Sequence, residues 1–499
     1  MKSVAHIVFV LLGVFMLSLT PSRTHAQTAP APVELRVMTF NIWVGGELVD
    51  FGKVVEAIQL SQADVVGLQE PSGNTRRLAD ALGWQHANER LHIISKYPLI
   101  DPPNGNGQFI YVQVRPGQVV ALMNVHLPSD PYGPYLVRDG ESLETVLQNE
   151  RELRLAAIET VLARLPELQQ AGIPTMLTGD FNTPSHLDWT AEVVATNPQR
   201  LYPVEWLVSK AVEASGMTDT YRAIHPNPVT VPGNTWTYGY PHPRLLENEM
   251  IDRIDFVYAS NDVRILESQI VGERDGQDVG IGVLPFPSDH RGVVSTVELI
   301  PGVMPILVAP QQRRVEQGER LVVHYATPNG ETAGDRISIV ATGENALAPL
   351  MWLPPYEASF FGSVTFGTGN LPTGEYDTVL TDADGNELAR QAFWVVEMNA
   401  RPSLTTNRPT YAAGEPIVVS WNNAPAQQFD WVAIYSANEP DLYNNYWAYA
   451  YTQATVNGST AFDESVLGES LLPGGDYVAR LLLDDAYSVI AEVAFRVVE

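Results

Sequence analysis

The stretch from Leu177 to Trp189, LTGDFNTPSHLDW, sets a carboxylate and an amide two residues apart where an apolar run stops. Ile173 to Leu177 reads as a strand, broken by Gly179, Asp180, Asn182, Thr183 and Pro184. Side chains alternate along an extended chain, so Asp180 and Asn182 point to one side and together can hold a water or a phosphate oxygen. An Asx-type turn closing a strand is the competing reading of GDFN taken alone.

The same pattern recurs along the chain. Asn41 ends the alternating run VELRVMTFN, and Glu70 ends the apolar run ADVVGLQE, where a carboxylate is costly to bury unless paired or bound to a cation. His126 ends VVALMNVH and opens onto a loop with Asp130, Tyr132 and Tyr135. In MIDRIDFVYAS the alternation sets Asp255 and Arg253 on the face opposite Ile254, Phe256 and Tyr258, and FPSDHRGV places Asp289 beside His290. A set made mostly of oxygen ligands, in a chain without cysteine, suits a hard cation, Mg²⁺ before Ca²⁺ or Mn²⁺. Asp289 and His290, with Asp255 able to orient the imidazole, would supply an acid or base beside it.

The elements that must position these residues are short strands interleaved with helices. Phe51 to Leu60 reads as an amphipathic helix, His92–Leu99, Phe109–Pro116 and Val119–Pro128 as strands, and Ser142–Gln170 as one long helix. The last two of those strands meet at a Pro-Gly-Gln turn that predicts a hairpin.

With 499 residues the chain exceeds what one core usually serves, and three domains are expected. Lys2, the apolar run Val4–Leu19 and the Thr24-His25-Ala26 site predict a signal peptide over 1–26, and hence a secreted or periplasmic protein starting near Gln27. An uncleaved anchor is the weaker alternative, because the run is shorter than the ~20 residues that span a bilayer. The net charge of −28 repels polyanions unless a local basic cleft intervenes, which disfavours tight duplex-DNA binding. A P-loop, a dinucleotide fingerprint and a Ser/His/Asp nucleophile arrangement are all absent.

Residues 301–310 are Pro-rich and read as a linker. Beyond it the chain duplicates: VEQGERLVVHY (Val315–Tyr325) matches YAAGEPIVVSW (Tyr411–Trp421), LPTGEYDTVL (Leu371–Leu380) matches LPGGDYVARL (Leu472–Leu481), and Phe393 matches Phe495. Two β-sandwich modules are expected, over 311–398 and 401–499, similar to immunoglobulin-like or fibronectin-type domains. The aromatics of DWVAIY and YNNYWAYAY either fill the core of the second module or offer a carbohydrate or cell-surface contact. DADG (Asp382–Gly385) and DLYNN are candidate Ca²⁺ turns, with solvated turns preferred.

FNIW, VVGLQE, NVHL, TGDFNTP, RIDFVY and SDHRGV, in this order between Val33 and Leu299, resemble the endonuclease/exonuclease/phosphatase superfamily. The resemblance implies a DNase I-like, four-layer α/β sandwich over 33–300 with two packed mixed sheets and the site at one end. It implies Glu70 as main metal ligand with Asn41 and Asp289 near the ion, and Asp180 and Asn182 positioning the attacking water. His126 would hold a phosphate oxygen, and His290, oriented by Asp255, would bind or protonate the phosphoryl group, with Asp180 and His290 both open as the base. Tyr132 and Arg253 are candidate substrate-binding residues, and Lys96, Arg138 and Arg291 are further cations expected near the rim. The expected activity is metal-assisted, in-line hydrolysis of a phosphodiester or phosphomonoester. A secreted nuclease of the same fold and a non-catalytic carbohydrate-binding or adhesion protein are the alternatives.

Overall fold

The computed structural model describes residues 31–103, 107–327, 334–355, 359–442, 445–463 and 472–498. The expected signal peptide, the residue pair Tyr443–Asn444 and Glu499 lie outside the described residues.

Two mixed sheets form the N-terminal unit. The first runs Val279–Val283, Arg264–Glu273, Gly292–Leu299, Val33–Asn41, Val65–Gln69, Ile93–Ser95 and His86–Asn88. The second runs Leu99–Ile100, Ile110–Arg115, Gln118–His126, Thr175–Asp180, Asp255–Ser260 and Met217–Asp219, and Gly302–Val303 also pairs with Gln118–His126. Alternation gives each strand two buried faces. Leu35, Val37, Val65 and Val297 of the first sheet meet Ile110, Val120, Met176 and Val257 of the second. The outer face of the first sheet, with Phe40, Val66 and Leu68, packs on Val54, Ile58 and Leu78 of the helices Phe51–Ser61 and Thr75–Leu82. The outer face of the second, with Met123, Leu177 and Phe256, packs on Ile158, Val161, Leu165 and Val212. The result is the four-layer α/β sandwich. Each fully buried Val, Leu or Ile contributes roughly 1.5–3 kcal/mol, so the sheet spacing is held by many contacts.

Two expected elements are divided. The run His92–Leu99 splits between sheets: Ile93–Ser95 pairs in the first, and Leu99–Ile100 in the second, after the Pro98 break. The single helix expected over 142–170 is a chain of shorter pieces: Leu143–Glu150, a π-helical turn Arg151–Leu155, Ala156–Leu162 and Leu165–Gln170. The wider turn lies where Arg154 is fully buried and donates to the carbonyl of Pro131 (2.9 Å), and Pro166 starts the last piece.

Both C-terminal modules are β-sandwiches of the same plan. The first stacks a three-stranded sheet (Leu307–Pro310, Arg320–Ala326, Phe361–Gly367) on a five-stranded one (Arg314–Glu316, Glu387–Val396, Gly374–Thr381, Arg336–Ala341, Met351–Leu353). The second repeats the order with Ser403–Thr406, Ile417–Asn422, Gly458–Phe462 and then Thr410–Ala412, Val489–Val498, Gly475–Leu482, Trp431–Ser436, Ala448–Tyr451. Equivalent tyrosines donate to equivalent prolyl carbonyls, Tyr376 to Pro372 (2.7 Å) and Tyr477 to Pro473 (2.8 Å). The segment 301–310 is structured rather than a free linker: Gly302–Val303 pairs with Gln118–Val119, and Leu307 and Ala309 enter the core around the second sheet. In the second module Tyr446, Tyr449 and Tyr451 pack around Trp431, Ala433 and Tyr435, which matches the core reading of these aromatics. Asp382 accepts from the backbone of Asp384 and Asn386, so DADG forms a self-satisfied turn.

Candidate active site

Strand register assembles the site. The parallel pair Gln118–His126 and Thr175–Asp180 sets His126 opposite Asp180, and the antiparallel pair with Asp255–Ser260 sets Asp255 on the other side of Asp180. The first sheet supplies the remainder: Asn41 at the end of its strand, Glu70 one residue past Val65–Gln69, and Asp289 and His290 before Gly292–Leu299. Bonds across the sheets lock the halves together. Asn41 Nδ2 donates to Asp180 Oδ2 (3.1 Å) and lies 3.3 Å from Glu70 Oε1. His290 Nδ1 pairs with Asp255 Oδ2 at 3.0 Å. Asp180 Oδ2 is 3.6 Å from His126 Nε2 and 3.7 Å from His290 Nε2, so two imidazoles flank one carboxylate. Asn182 folds back, its amide N–H on Asp180 Oδ1 (2.9 Å) and its Nδ2 on the Leu127 carbonyl (2.9 Å).

Burial and charge act in opposite directions here. Burial opposes a charged His290, but Asp255, Asp180 and Asp289 outweigh it and hold its pKa up at about 10. Burial likewise opposes a charged His126, and Asp485, Asp180 and Glu70 raise it to about 9. Asp255 is pushed up to about 6 by burial and the charge of Asp180, against the pull of His290. Asp289 is pushed up to about 7 by burial, opposed by His290 and aided by the charge of Glu70. Its Oδ1 is buried without a hydrogen-bond partner. A buried carboxylate oxygen left bare and faced by a second carboxylate is the environment a cation relieves. Glu70, Asp289 and Asn41 therefore fit a divalent, oxygen-seeking cation. Asp180, Asp255 and His290 form a buried group whose ligand atoms lie within 4.8 Å of one another, beside that position.

The backbone is strained around this point. Trp43, Val44, Glu70 and Asn182 all have positive φ, between 48° and 55°. Such conformations cost on the order of 1–3 kcal/mol each for ordinary residues and cluster at functional sites. They turn the Val44 N–H onto Glu70 Oε2 (3.0 Å) and the Trp43 N–H onto Asn41 Oδ1 (3.0 Å).

Two of the expected substrate-binding residues are placed elsewhere. Arg253 is 1% exposed and donates to Asp188 (2.9 Å) and to both oxygens of Asp219 (3.1 and 2.7 Å). Its role in the structure is a buried ion-pair network. Tyr132 is also buried, donating to Asp252 Oδ2 (3.1 Å) and packing edge-on to Trp236. Trp236 forms β-bridges with both Asp252 and His290, and its ring centre lies 6.1 Å from that of His290, so Tyr132 meets the site through Trp236. Among the expected rim cations, Arg291 is buried on Glu273, Lys96 pairs with Asp64 (3.0 Å), and Arg138 pairs with Asp139 (2.7 Å).

Sequence reasoning missed a buried polar seam beneath the site. Gln69 Nε2 donates to Asn124 Oδ1 (2.8 Å), Thr178 Oγ1 lies 2.9 Å from the same oxygen, and Thr39 Oγ1 donates to Gln69 Oε1 (3.2 Å). Asn124 Nδ2 completes the set on the carbonyls of Leu68 (2.9 Å) and Leu91 (3.1 Å). Thr235 was missed too: its Oγ1 accepts from the amides of Ile254 and Asp255 (3.0 and 3.1 Å). Both motifs held the signal, since NVHL begins with Asn124 and VVGLQE contains Gln69.

Two facing sheets with paired Asp, Asn and His residues at one rim define the metal-dependent phosphoesterase and nuclease fold. The Endonuclease/Exonuclease/phosphatase family model matches residues 38–290, and the chain belongs to that family. It is 31% identical over 276 residues to the uncharacterized protein F14F9.5 of Caenorhabditis elegans, covering 49% of this chain and 84% of that protein. Among solved structures it is similar to an endonuclease/exonuclease/phosphatase from Beutenbergia cavernae, at 22% identity and TM-score 0.33, covering 72% of this chain and 99% of that one. It is also similar to D. rerio TDP2 complexed with single strand DNA product, at 15% identity and TM-score 0.33, covering 53% and 98%.

Proposed function

We propose that the chain is an exported, Mg²⁺-dependent phosphoesterase that hydrolyses a phosphodiester or phosphomonoester by in-line attack of water. The observation that carries this reading is Asp180, held by Asn41 and flanked by His126 and His290 at 3.6 and 3.7 Å, together with the bare oxygen of Asp289, the residue next to His290. Glu70, Asn41 and Asp289 would hold the cation, which supplies charge for the phosphoryl oxygens as the reaction proceeds. Asp180 and Asn182 orient the water, and Asp180 takes its proton. His126 holds a non-bridging oxygen. His290, its Nδ1 on Asp255, presents Nε2 to the phosphoryl group, and the Asp255 carboxylate stabilises the imidazolium. The site's donors need no covalent intermediate.

Export rests on the signal-like segment 1–26, and among the described residues no helix is long and apolar enough to cross a membrane. A second reading, nuclease activity, is favoured by the family. Against a tight grip on polymeric DNA stand the charge of −28 and the engagement of Arg253 and Arg291 in buried ion pairs. The test is turnover of polymeric DNA, RNA, sphingomyelin, inositol phosphates and small p-nitrophenyl esters side by side, across a salt series. Preference for a small ester supports the proposal. Preference for DNA, with activity falling steeply as salt rises, replaces it with the nuclease.

A further inference from the structure

The family match ends at residue 290, yet the second β-sandwich reaches back to the site. Its turn Leu483–Ser488, closing the hairpin between Gly475–Leu482 and Val489–Val498, lays two aspartates against the catalytic unit. Asp485 Oδ2 lies 2.7 Å from His126 Nδ1, and Tyr451 Oη donates to the other oxygen of Asp485 (2.9 Å). Asp484 pairs with the buried His92 and accepts the Gly73 N–H at 2.8 Å. Phe429 packs edge-on to His126 with ring centres 6.4 Å apart, and the Gln428 N–H donates to the Arg90 carbonyl (2.7 Å).

Two features set this apart from a casual module contact. Asp484 and Asp485 both have positive φ, 57° and 59°. They are the central pair of the turn closed by the Ala486 N–H on the Leu483 carbonyl (2.8 Å), where a hairpin favours positive φ at both positions, and this turn aims both carboxylates at histidines of the other unit. The second feature is the placing of His126. Its Nδ1 faces Asp485, its Nε2 faces Asp180, and the ring borders an inter-module cleft of about 720 Å³ that Phe429 and Tyr451 also line.

We infer that Asp485 is a positioning residue for phosphoester hydrolysis, accepting from the second β-sandwich the Nδ1–H of His126 and so fixing the ring orientation that presents Nε2–H to the phosphate. The inference rests on the hydrolase reading above. An imidazole that donates Nε2–H to a phosphate oxygen is oriented, and kept protonated on both nitrogens, by a carboxylate on its Nδ1–H, as Asp255 does for His290. Among the described residues of 38–290 none bonds His126 Nδ1, so the tail supplies this partner. The two Asp–His pairs, one within the family domain and one across modules, then flank Asp180 on both sides.

The test uses the full-length protein with Asp485→Ala, Asp485→Asn and Tyr451→Phe. Hydrolysis of bis-p-nitrophenyl phosphate is followed as kcat and KM separately, and the His126 ring is followed by ¹⁵N–¹H NMR with His126→Asn as the assignment control. The expected result for Asp485→Ala is a kcat lowered about 10- to 100-fold, together with displacement of the His126 Nδ1–H signal. Asp485→Asn, which keeps an acceptor, should recover part of kcat. Tyr451→Phe should have the smallest effect. Unchanged kcat and an unmoved His126 signal in folded Asp485→Ala would overturn the inference. So would a loss of kcat equal in Ala and Asn with the ring signal in place, the mark of a merely structural role. If the wild type turns over no phosphoester, the hydrolase reading fails, and the ring signal alone decides whether Asp485 sets His126.

Discussion

Gly67 lies in the strand Val65–Gln69, facing the second sheet directly beneath the site. A Cβ at this position would lie 2.2 Å from Thr178 Oγ1 and 2.4 Å from Asn124 Oδ1, where ordinary contact is about 3.5 Å. Gly67→Ala therefore demands about 1 Å of movement from two side chains whose hydrogen bonds are all internal. Asn124 gives up its bonds to Gln69 and Thr178 if it turns away, and its amide leaves the carbonyls of Leu68 and Leu91. Two or three buried groups left unpaired, at about 1–3 kcal/mol each, give a loss of about 2–9 kcal/mol. The alternative response, parting of the sheets, separates Glu70, Asn41 and His290 on one from Asp180 and Asp255 on the other. Either way, the urea midpoint should fall with the slope unchanged, and turnover should fall with it. Adding Thr178→Ala removes the nearest clash and should restore part of the stability, giving a measurable coupling between the two positions. A loss below about 1 kcal/mol with turnover intact would refute the seam as the device that sets sheet spacing.

Arg253→Met should destabilise the protein by about 3–5 kcal/mol, because it removes the guanidinium that pairs with both oxygens of buried Asp219 and leaves Asp188 with Arg222 alone; chemical denaturation measures this, and a change in KM without loss of stability would restore Arg253 to substrate binding. His126 should make stability pH-dependent: its pKa is raised to about 9 from 6.5, so its contribution is complete below pH 6.5 and is lost as pH rises through about 9. The upper bound for this shift is about 3 kcal/mol, and the decline in thermal midpoint between pH 6.5 and 9 should be shallower in His126→Asn; equal slopes would contradict it. Trp43→Ala removes a rim residue held at positive φ, and should lower kcat/KM while the core stays intact; near-UV spectra and steady-state kinetics check the two halves of that statement.

Much of the catalytic unit was legible in sequence because it is written in local patterns. Period-two alternation marked the strand ending at Asn41, apolar runs marked those that end at His126 and lead to Asp180, and the polar residues at these ends marked Asn41, His126 and Asp180 as companions. The tail's duplication predicted two sandwiches of one plan, as the matched sheet orders show. Missing information lay in contacts between distant segments. Arg253 sits beside a catalytic strand in sequence, but two acids 34 and 65 residues away claim its guanidinium. The linker composition of 301–310 gave no hint that an unpaired strand edge at Gln118–Val119 would take it up. Asp485 carried no signal in the sequence, because its partner His126 lies 359 residues earlier.

The central claim is hydrolysis of a phosphoester by a cation-dependent site built from both sheets. Its most direct test is turnover of bis-p-nitrophenyl phosphate by the full-length protein with Mg²⁺, Mn²⁺, Ca²⁺ or EDTA, beside Glu70→Ala and His290→Ala. Turnover that requires the cation, is strongest with Mg²⁺ and is abolished by both substitutions is the predicted result. Turnover that persists in EDTA, or that survives loss of Glu70 and His290 in folded protein, would contradict it.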